Sequence, residues 1–352
     1  VGDQVLQETG RRLVSEAGHS NRVARPGGGE FLVLLSVDRT HTPAWWRRRL
    51  SAVFEAPFDI DGVVLFISAA FGYVRIGLKP AQDGQKLINN AELALRKSQN
   101  RVSVTWTQYV RAIEHKARQT VATSRELRLA IQRDELALYY QPQVDLASGR
   151  IVSAEALVRW RHPEKGLVPP GDFIPIAETS QLIGPMGEWV IRKACHNLRV
   201  WQDAGLDVVP VSVNVSLIQF QLGSIPDIVR KALTDFSIEP QQLMLEITES
   251  VFEAHNDALK SDLFLLRQMG VKLSLDDFGT GYSSLAHLND YPFDEIKIDM
   301  MFTWQLNNGN YGQAIVKSVN AIASATGAQV IAEGVESADH AKILQELGCR
   351  FG

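Results

Sequence analysis

The stretch GVKLSLDDF, Gly270 to Phe278, decides the fold of the last two-thirds of the chain. Gly270 reads as a left-handed helix C-cap, and the apolar run Val271–Leu275 after it reads as a buried strand. That strand runs directly into two carboxylates, Asp276 and Asp277. The motif of helix end, strand and polar rim recurs along the sequence. Gly205, Gly327 and Gly348 also close helical stretches just ahead of expected strands. Apolar strand cores fall at Leu136–Tyr140, Ile151–Ala156, Val209–Val215, Leu243–Ile247, Val271–Leu275, Glu295–Ile298 and Gln329–Ala332, with helical stretches between most of them. Strands alternating with helices predict a parallel sheet. These seven strands, with an eighth due right after Gly352, predict an α/β fold of the (β/α)8 barrel type whose last unit lies beyond this sequence.

Most of these strands end in something polar. The third ends in Asn214, the fourth carries Glu246, the fifth reaches Asp276 and Asp277, the sixth carries Lys297 and Asp299, and the seventh ends at Glu333. Glu155 sits on the second. In a (β/α)8 barrel the C-terminal strand ends converge on one face, so these scattered residues are expected to meet. Carboxylates with one amide, and no His or Cys, make a hard-oxygen set suited to Mg²⁺ or Mn²⁺ rather than zinc. So many like charges repel unless cations neutralise them. Two cations about 3.5–4 Å apart would activate a water and clamp a phosphate. A lone acidic residue at a strand end is more often a helix cap or a surface salt bridge, and that reading is kept for Asp299. It is a poor account of the whole set.

The residues before this region form a smaller unit. A helix to about Ala17, a hairpin turning at Gly27–Gly29, a helix over Pro43–Phe54, a strand over Val63–Ile76, a helix over Pro80–Gln99 and a strand over Val102–Trp106 make a small α+β domain. Gln108–Gln132 contains neither Pro nor Gly and reads as a connecting helix. It is a spacer or a signalling helix that pairs between subunits in a homodimer; the apolar positions hold no clean heptad. The expected domains are 1–107, a connecting helix 108–132, and 133–352.

Bulk properties narrow the function. A length of 352 residues suggests two domains, and 45% hydrophobic with 22% charged residues is ordinary for a globular protein. A net charge of -4 gives no basic field for DNA or RNA, although a local nucleotide site stays open. Cys195 and Cys349 are the only cysteines and read as buried small hydrophobes in a reducing, cytoplasmic setting. The most apolar run, Val63–Val74, is too short to span a membrane and reads as a buried strand. The sequence opens at Val1 already in a helical pattern, so it reads as part of a longer protein.

The motifs resemble those of a known family. Glu155-Ala156-Leu157 looks like the signature of EAL domains and extends to an ExLxR form ending at Arg159. SVNVS follows around Asn214, then LEITES over 245–250, DDFGTGYSSL over 276–285, KID over 297–299 and AEGVE over 332–336. The resemblance implies a metal-dependent phosphodiesterase that opens cyclic-di-GMP to linear pGpG. Glu155, Asn214, Glu246 and Asp276 would hold one cation, and Asp276 with Asp277 a second. Lys297 and Glu333 would position or deprotonate the attacking water. Arg159 would grip a phosphate, with Leu157 also against the substrate, and Glu249 would brace the loop Phe278–Ser284. The family's later Gln motif falls beyond Gly352.

The smaller unit resembles the GGDEF domain of diguanylate cyclases, through ARPGGGEFLVLL over 24–35 and NNAELALRKSQ over 89–99. Its motif reads Gly27-Gly28-Gly29-Glu30-Phe31, so Gly29 replaces the expected acidic ligand. Gly18 and Asn21 stand where the family's RxxD inhibitory site would need Arg and Asp. The resemblance implies a degenerate, partial domain without cyclase activity, either a structural remnant or a GTP-binding regulator. Three functions compete for the chain as a whole: the phosphodiesterase, a silent cyclic-di-GMP receptor, and a scaffold. Retention of the acidic set favours the enzyme.

Overall fold

The computed structural model describes residues 1–18, 21–76, 83–99, 105–252, 257–279, 288, 290–307 and 310–352. It divides into two compact units, Val1–Val121 and Ala122–Gly352.

In the first unit, α1 (Gly2–Ala17) is followed by the hairpin β1 (Arg22–Gly27) and β2 (Glu30–Leu34), which turns at Gly28 and Gly29 as expected. Helix α2 (Pro43–Glu55) starts on a Thr42 cap that accepts from Trp45 N–H at 3.2 Å. Leu13, Leu50 and Val53 form the core, with Phe71 stacked on Trp106 at its edge. The expected single strand over Val63–Ile76 is corrected. Asp61 and Gly62, both at positive φ, make a two-residue turn, so β3 (Phe58–Ile60) pairs antiparallel with β4 (Val63–Leu65). The chain then re-pairs as β5 (Phe71–Tyr73), parallel to β6 (Trp106–Gln108). The apolar run is therefore split between two partners and is not one buried strand: Phe66 is 82% exposed. Helix α3 (Gly84–Gln99) follows the expected pattern, while the expected Pro80–Gln82 and Val102–Val104 lie outside the described residues. Helix α4 (Arg111–Gln132) starts later than Gln108, because Gln108 is in β6 and Tyr109 N–H still donates to Tyr73 O at 2.7 Å.

The second unit runs β7 (Leu136–Val144), β8 (Ile151–His162), β9 (Gly166–Val168), α5 (Pro170–Thr179), α6 (Ile183–Asp203), β10 (Val211–Asn214), α7 (Leu217–Leu222), α8 (Ile225–Phe236), β11 (Leu243–Thr248), α9 (Asp257–Gln268), β12 (Lys272–Phe278), β13 (Glu295–Ile298), α10 (Met300–Trp304), α11 (Asn310–Thr326), β14 (Gln329–Ala332) and α12 (Ala338–Glu346). The strands lie in the order β14-β13-β12-β11-β10-β8-β7, a curled sheet with helices. Gly205, Gly270, Gly327 and Gly348 all take positive φ, 72°, 93°, 76° and 86°, as C-cap glycines do. Helix α6 buries Ile183, Met186, Val190, Ala194 and Leu198, a helical stripe that includes Cys195. Burial pushes the Cys195 thiol up to about 12 and the Cys349 thiol up to about 11. Among the described residues no helix is long and apolar enough to cross a membrane.

Two expectations about the sheet are corrected. It is parallel from β8 to β14, but β7 runs antiparallel to β8. Only residues 145–150 join them, and a parallel crossover needs about a dozen residues or more. Asp145 instead folds a tight turn, accepting from Ser148 N–H at 2.9 Å. The second correction concerns the eighth strand position, which begins before Gly352. Phe351 bridges Ile331 in the parallel sense and Asp145 in the antiparallel sense. Ala332 N–H donates to Phe351 O at 3.0 Å, and Val144 and Gly352 exchange backbone bonds of 2.8 and 3.0 Å. At this level the backbone therefore runs from β14 through Phe351 to β7. The Arg350 Nε bond to Asp145 Oδ2, 2.7 Å, pins the junction.

That ion pair predicts an acid dependence. Arg350, then the Ser148 donors, hold the Asp145 carboxyl down at about 2, below the ordinary 3.8. A depressed acid stabilises the fold fully above its unfolded pKa, and the contribution fades as pH falls from about 4 towards 2. Arg350→Gln should therefore melt below the wild type between pH 5 and 7, and the gap should close towards pH 2. A gap of constant size down to pH 2 would contradict the assignment.

Candidate active site

The polar rim residues converge on Lys297. Its side chain is 1% exposed, and Nζ lies 2.7 Å from Glu333 Oε1, 3.0 Å from Glu246 Oε2, 3.1 Å from Asp276 Oδ1 and 3.2 Å from Glu155 Oε2. Four strands, β8, β11, β12 and β13, and the residue after β14 supply these groups. Asn214, at the end of β10, donates from Nδ2 to Glu155 Oε1 at 2.8 Å, which fixes its amide. Burial alone would lower the Lys297 pKa, but Glu246, Asp276, Glu155 and Glu333 outweigh it and keep the ammonium charged. Burial pushes the Glu246 carboxyl up to about 8 and raises that of Glu333 as well. One ammonium faces four carboxyl groups, so full ionisation of the cluster needs a further cation.

Asp276 and Asp277 share the site because β12 is irregular. Successive side chains on a regular strand point to opposite faces. Here Leu275 pairs with Ile296 and Phe278 with Ile298, so two aspartates lie opposite the single Lys297. This is a β-bulge, and Asp277 takes a left-handed φ of 57° within it. Strain of this kind in a non-glycine residue persists only where the surroundings impose it. The result is that one carboxylate oxygen each from Asp276, Asp277 and Glu333 lie within 4.8 Å of one another. Burial, then the charges of Asp276 and Asp299, raise the Asp277 pKa. Asp299 itself caps α10 through Met301 N–H at 2.7 Å.

These residues fit a divalent cation. The donors are oxygens, and Glu246 Oε1 is buried with no hydrogen-bond partner among the described residues. Such oxygens are costly unless a cation or water meets them.

Glu155, Leu157 and Arg159 occupy alternate positions of β8 and so share one face. Among the described residues, β8 beyond Ala156 pairs only with β7 and β9, so this face extends past the carboxylates. Arg159 donates to Val158 O at 2.9 Å and has no carboxylate partner among the described residues. Glu249 Oε2 accepts from Gly279 N–H at 3.1 Å, and Thr280–Ser284 of that loop lie outside the described residues. Sequence reasoning missed Gln141, which stands directly opposite Glu155 on β7. The short, Asp-started turn at 145–150 was the available signal, because it fixes the hairpin register.

Comparison with known proteins agrees with this geometry. The profile of the EAL domain matches residues 124–352, and that of the GGDEF domain of diguanylate cyclases matches residues 1–103. The bifunctional diguanylate cyclase/cyclic di-GMP phosphodiesterase MucR of Pseudomonas aeruginosa is 36% identical over 352 residues, covering 99% of this chain and 51% of the relative. The cyclic di-GMP phosphodiesterase NbdA of the same organism is 36% identical over 350 residues, covering 99% of this chain and 45% of the relative. The chain thus spans about half the length of the curated relatives it matches. Among solved structures, the MucR phosphodiesterase in complex with c-di-GMP superposes with a TM-score of 0.62 at 42% identity, over 65% of this chain and 93% of that one.

Proposed function

Because the chain belongs to the EAL-domain family, with a GGDEF-family domain ahead of the EAL domain in sequence, we propose that it hydrolyses one phosphodiester bond of cyclic-di-GMP to give linear pGpG. Mg²⁺ or Mn²⁺ is its cofactor. The observation that carries this reading is the bulge at Asp276–Asp277, which with Glu333 brings three carboxylates within 4.8 Å at the mouth of an acidic site. The relatives' activities and the ligand in the MucR complex support the choice of substrate.

In this proposal Glu155, Asn214, Glu246 and Asp276 would hold one cation, and Asp276 with Asp277 a second. Bound there, the cations would supply an activated water and neutralise charge on the phosphate. Lys297 Nζ and Glu333 orient the attacking water, and Glu333 Oε1 takes its proton. Glu333 suits this role because it is the most open carboxylate of the hub, at 27% exposure, and its pKa is raised. Arg159 presents a planar fork to a phosphate, and Leu157 packs beside it. Glu249 steadies the loop after β12 through Gly279. We assign 1–107 to the degenerate domain, 108–132, which is helix α4 from Arg111 on, to the connection, and 133–352 to the catalytic domain. Gly29 offers no carboxylate to a metal, so the first domain has no cyclase activity.

The test is nucleotide chromatography after incubation with cyclic-di-GMP and Mg²⁺ or Mn²⁺. pGpG should accumulate, excess EDTA should abolish it, and Ca²⁺ should inhibit, since its larger, looser shell fits the site poorly. Full turnover in EDTA would sink the cation mechanism. Tight binding without turnover in Mn²⁺ would make the protein a receptor. A cyclic product from GTP would overturn the reading of the first domain.

A further inference from the structure

Asn214 is exposed and ends its strand, yet the proposed function, on which this inference rests, needs it as a fixed ligand. On the barrel side it is held by its bond to Glu155 and by the Val215 N–H bond to Glu246 O, 2.9 Å. Past Val215 the chain leaves the sheet, and something else must stop it peeling away. The structure assigns that task to Glu178, on α5, as a positioning residue acting through Ser216. Glu178 Oε1 accepts from Ser216 Oγ at 2.7 Å.

Ser216 is unusually well fixed for a residue at a strand exit. Its backbone N–H donates to Gln219 Oε1 at 3.0 Å, and its Oγ accepts from Ile218 N–H at 3.3 Å, a capping box that starts α7. Gln219 is 3% exposed and lies hard against Gly187 of α6, where a Cβ would meet Gln219 Nε2 at 1.9 Å. The cap is therefore wedged between α6 and α7, and Glu178 ties it to α5. A hydroxyl–carboxylate bond is charge-assisted and short, stronger than a neutral one. Two residues upstream, the Asn214 side chain inherits the position so fixed. Loss of an outer partner of a ligand typically costs about 10–100-fold in metal affinity or activity.

The experiment is a calorimetric titration of the full chain with Mn²⁺ alone, with steady-state kinetics and thermal melts alongside. Ser216→Ala and Glu178→Ala should each weaken Mn²⁺ binding about tenfold and lower kcat in parallel, with KM for cyclic-di-GMP nearly unchanged. The double variant should be no worse than either single one, since both remove the same bond. Glu178→Gln, whose amide oxygen can still accept from the hydroxyl, should bind Mn²⁺ within about twofold of the wild type. Asn214→Ala is the reference and should weaken Mn²⁺ at least as much. If it does while Ser216→Ala and Glu178→Ala bind Mn²⁺ like the wild type, the tether is overturned and the metal reading stands. Additive losses in the double variant, or a lower melting temperature with normal Mn²⁺ affinity, also overturn it. If Asn214→Ala itself binds Mn²⁺ normally, the ligand assignment fails and the inference goes with it.

Discussion

Lys297→Met is expected to lower turnover by about 10²–10³-fold, the range for loss of a preorganised donor at the reacting centre. It should also destabilise the metal-free protein by about 3–5 kcal/mol at neutral pH, as breaking a buried ion pair does. The reason lies in the geometry of the hub. Four carboxylates share one ammonium, and Glu246 and Lys297 are almost wholly buried. Without Nζ the carboxylates must either repel one another or take up protons, and both cost folding energy. Mn²⁺ should therefore raise the melting temperature of Lys297→Met more than that of the wild type. Melting curves with EDTA and with Mn²⁺ measure this. Equal melting temperatures in EDTA would show that the ammonium is not what neutralises the site.

The second large effect separates chemistry from grip on one strand. Glu155→Ala removes a proposed cation ligand, a partner of Lys297 and the acceptor for Asn214. It should lower kcat at least about 100-fold, the upper end of what loss of a mere outer partner costs. The barrel should stay folded, because the side chain sits at the open end of the interior. Arg159→Ala lies four residues further along the same face and removes only a charged hydrogen-bond donor. It should raise KM by about 10–100-fold, as a lost charge-assisted bond of about 1.5–3 kcal/mol would, with a smaller change in kcat. Steady-state kinetics with circular dichroism as a folding control decide the matter. Wild-type turnover by Glu155→Ala would remove the carboxylate cluster from the reaction.

The sequence foretold what depends on local pattern. The C-cap glycines, the apolar strand cores and the polar rim could all be seen because each is set within a few residues. What it concealed depends on pairing. Asp276 and Asp277 are both expected at the rim, yet strand alternation alone would send them to opposite faces, and the bulge that lets them share the site shows only in the pairing with β13. Antiparallel β7 was hidden by the helix–strand rhythm, although the six-residue turn at 145–150 was short enough to exclude a crossover. The two-residue turn Asp61-Gly62 was a local signal overlooked in favour of the hydrophobicity of the run after it. Gln141 and Glu178 escaped because neither belongs to the quoted motifs; their meaning arises from a register and from a contact across three helices.

The junction at Phe351 bears on the order of events during folding. The Asp145–Arg350 bond joins positions 205 apart, so it closes nearly the longest loop this unit possesses. Loop-closure entropy rises only slowly with length, so the clasp is affordable once formed, but contacts so distant in sequence form late. During synthesis β7 emerges first and pairs with β8 at once through the hairpin. Its other edge stays without the backbone partners of residues 350–352 until they have been made. For that interval an unpaired strand edge, the usual point of entry for aggregation, is open to neighbours. The half-exposed residues along β7 thus have to keep an unfinished sheet soluble until residues 350–352 arrive.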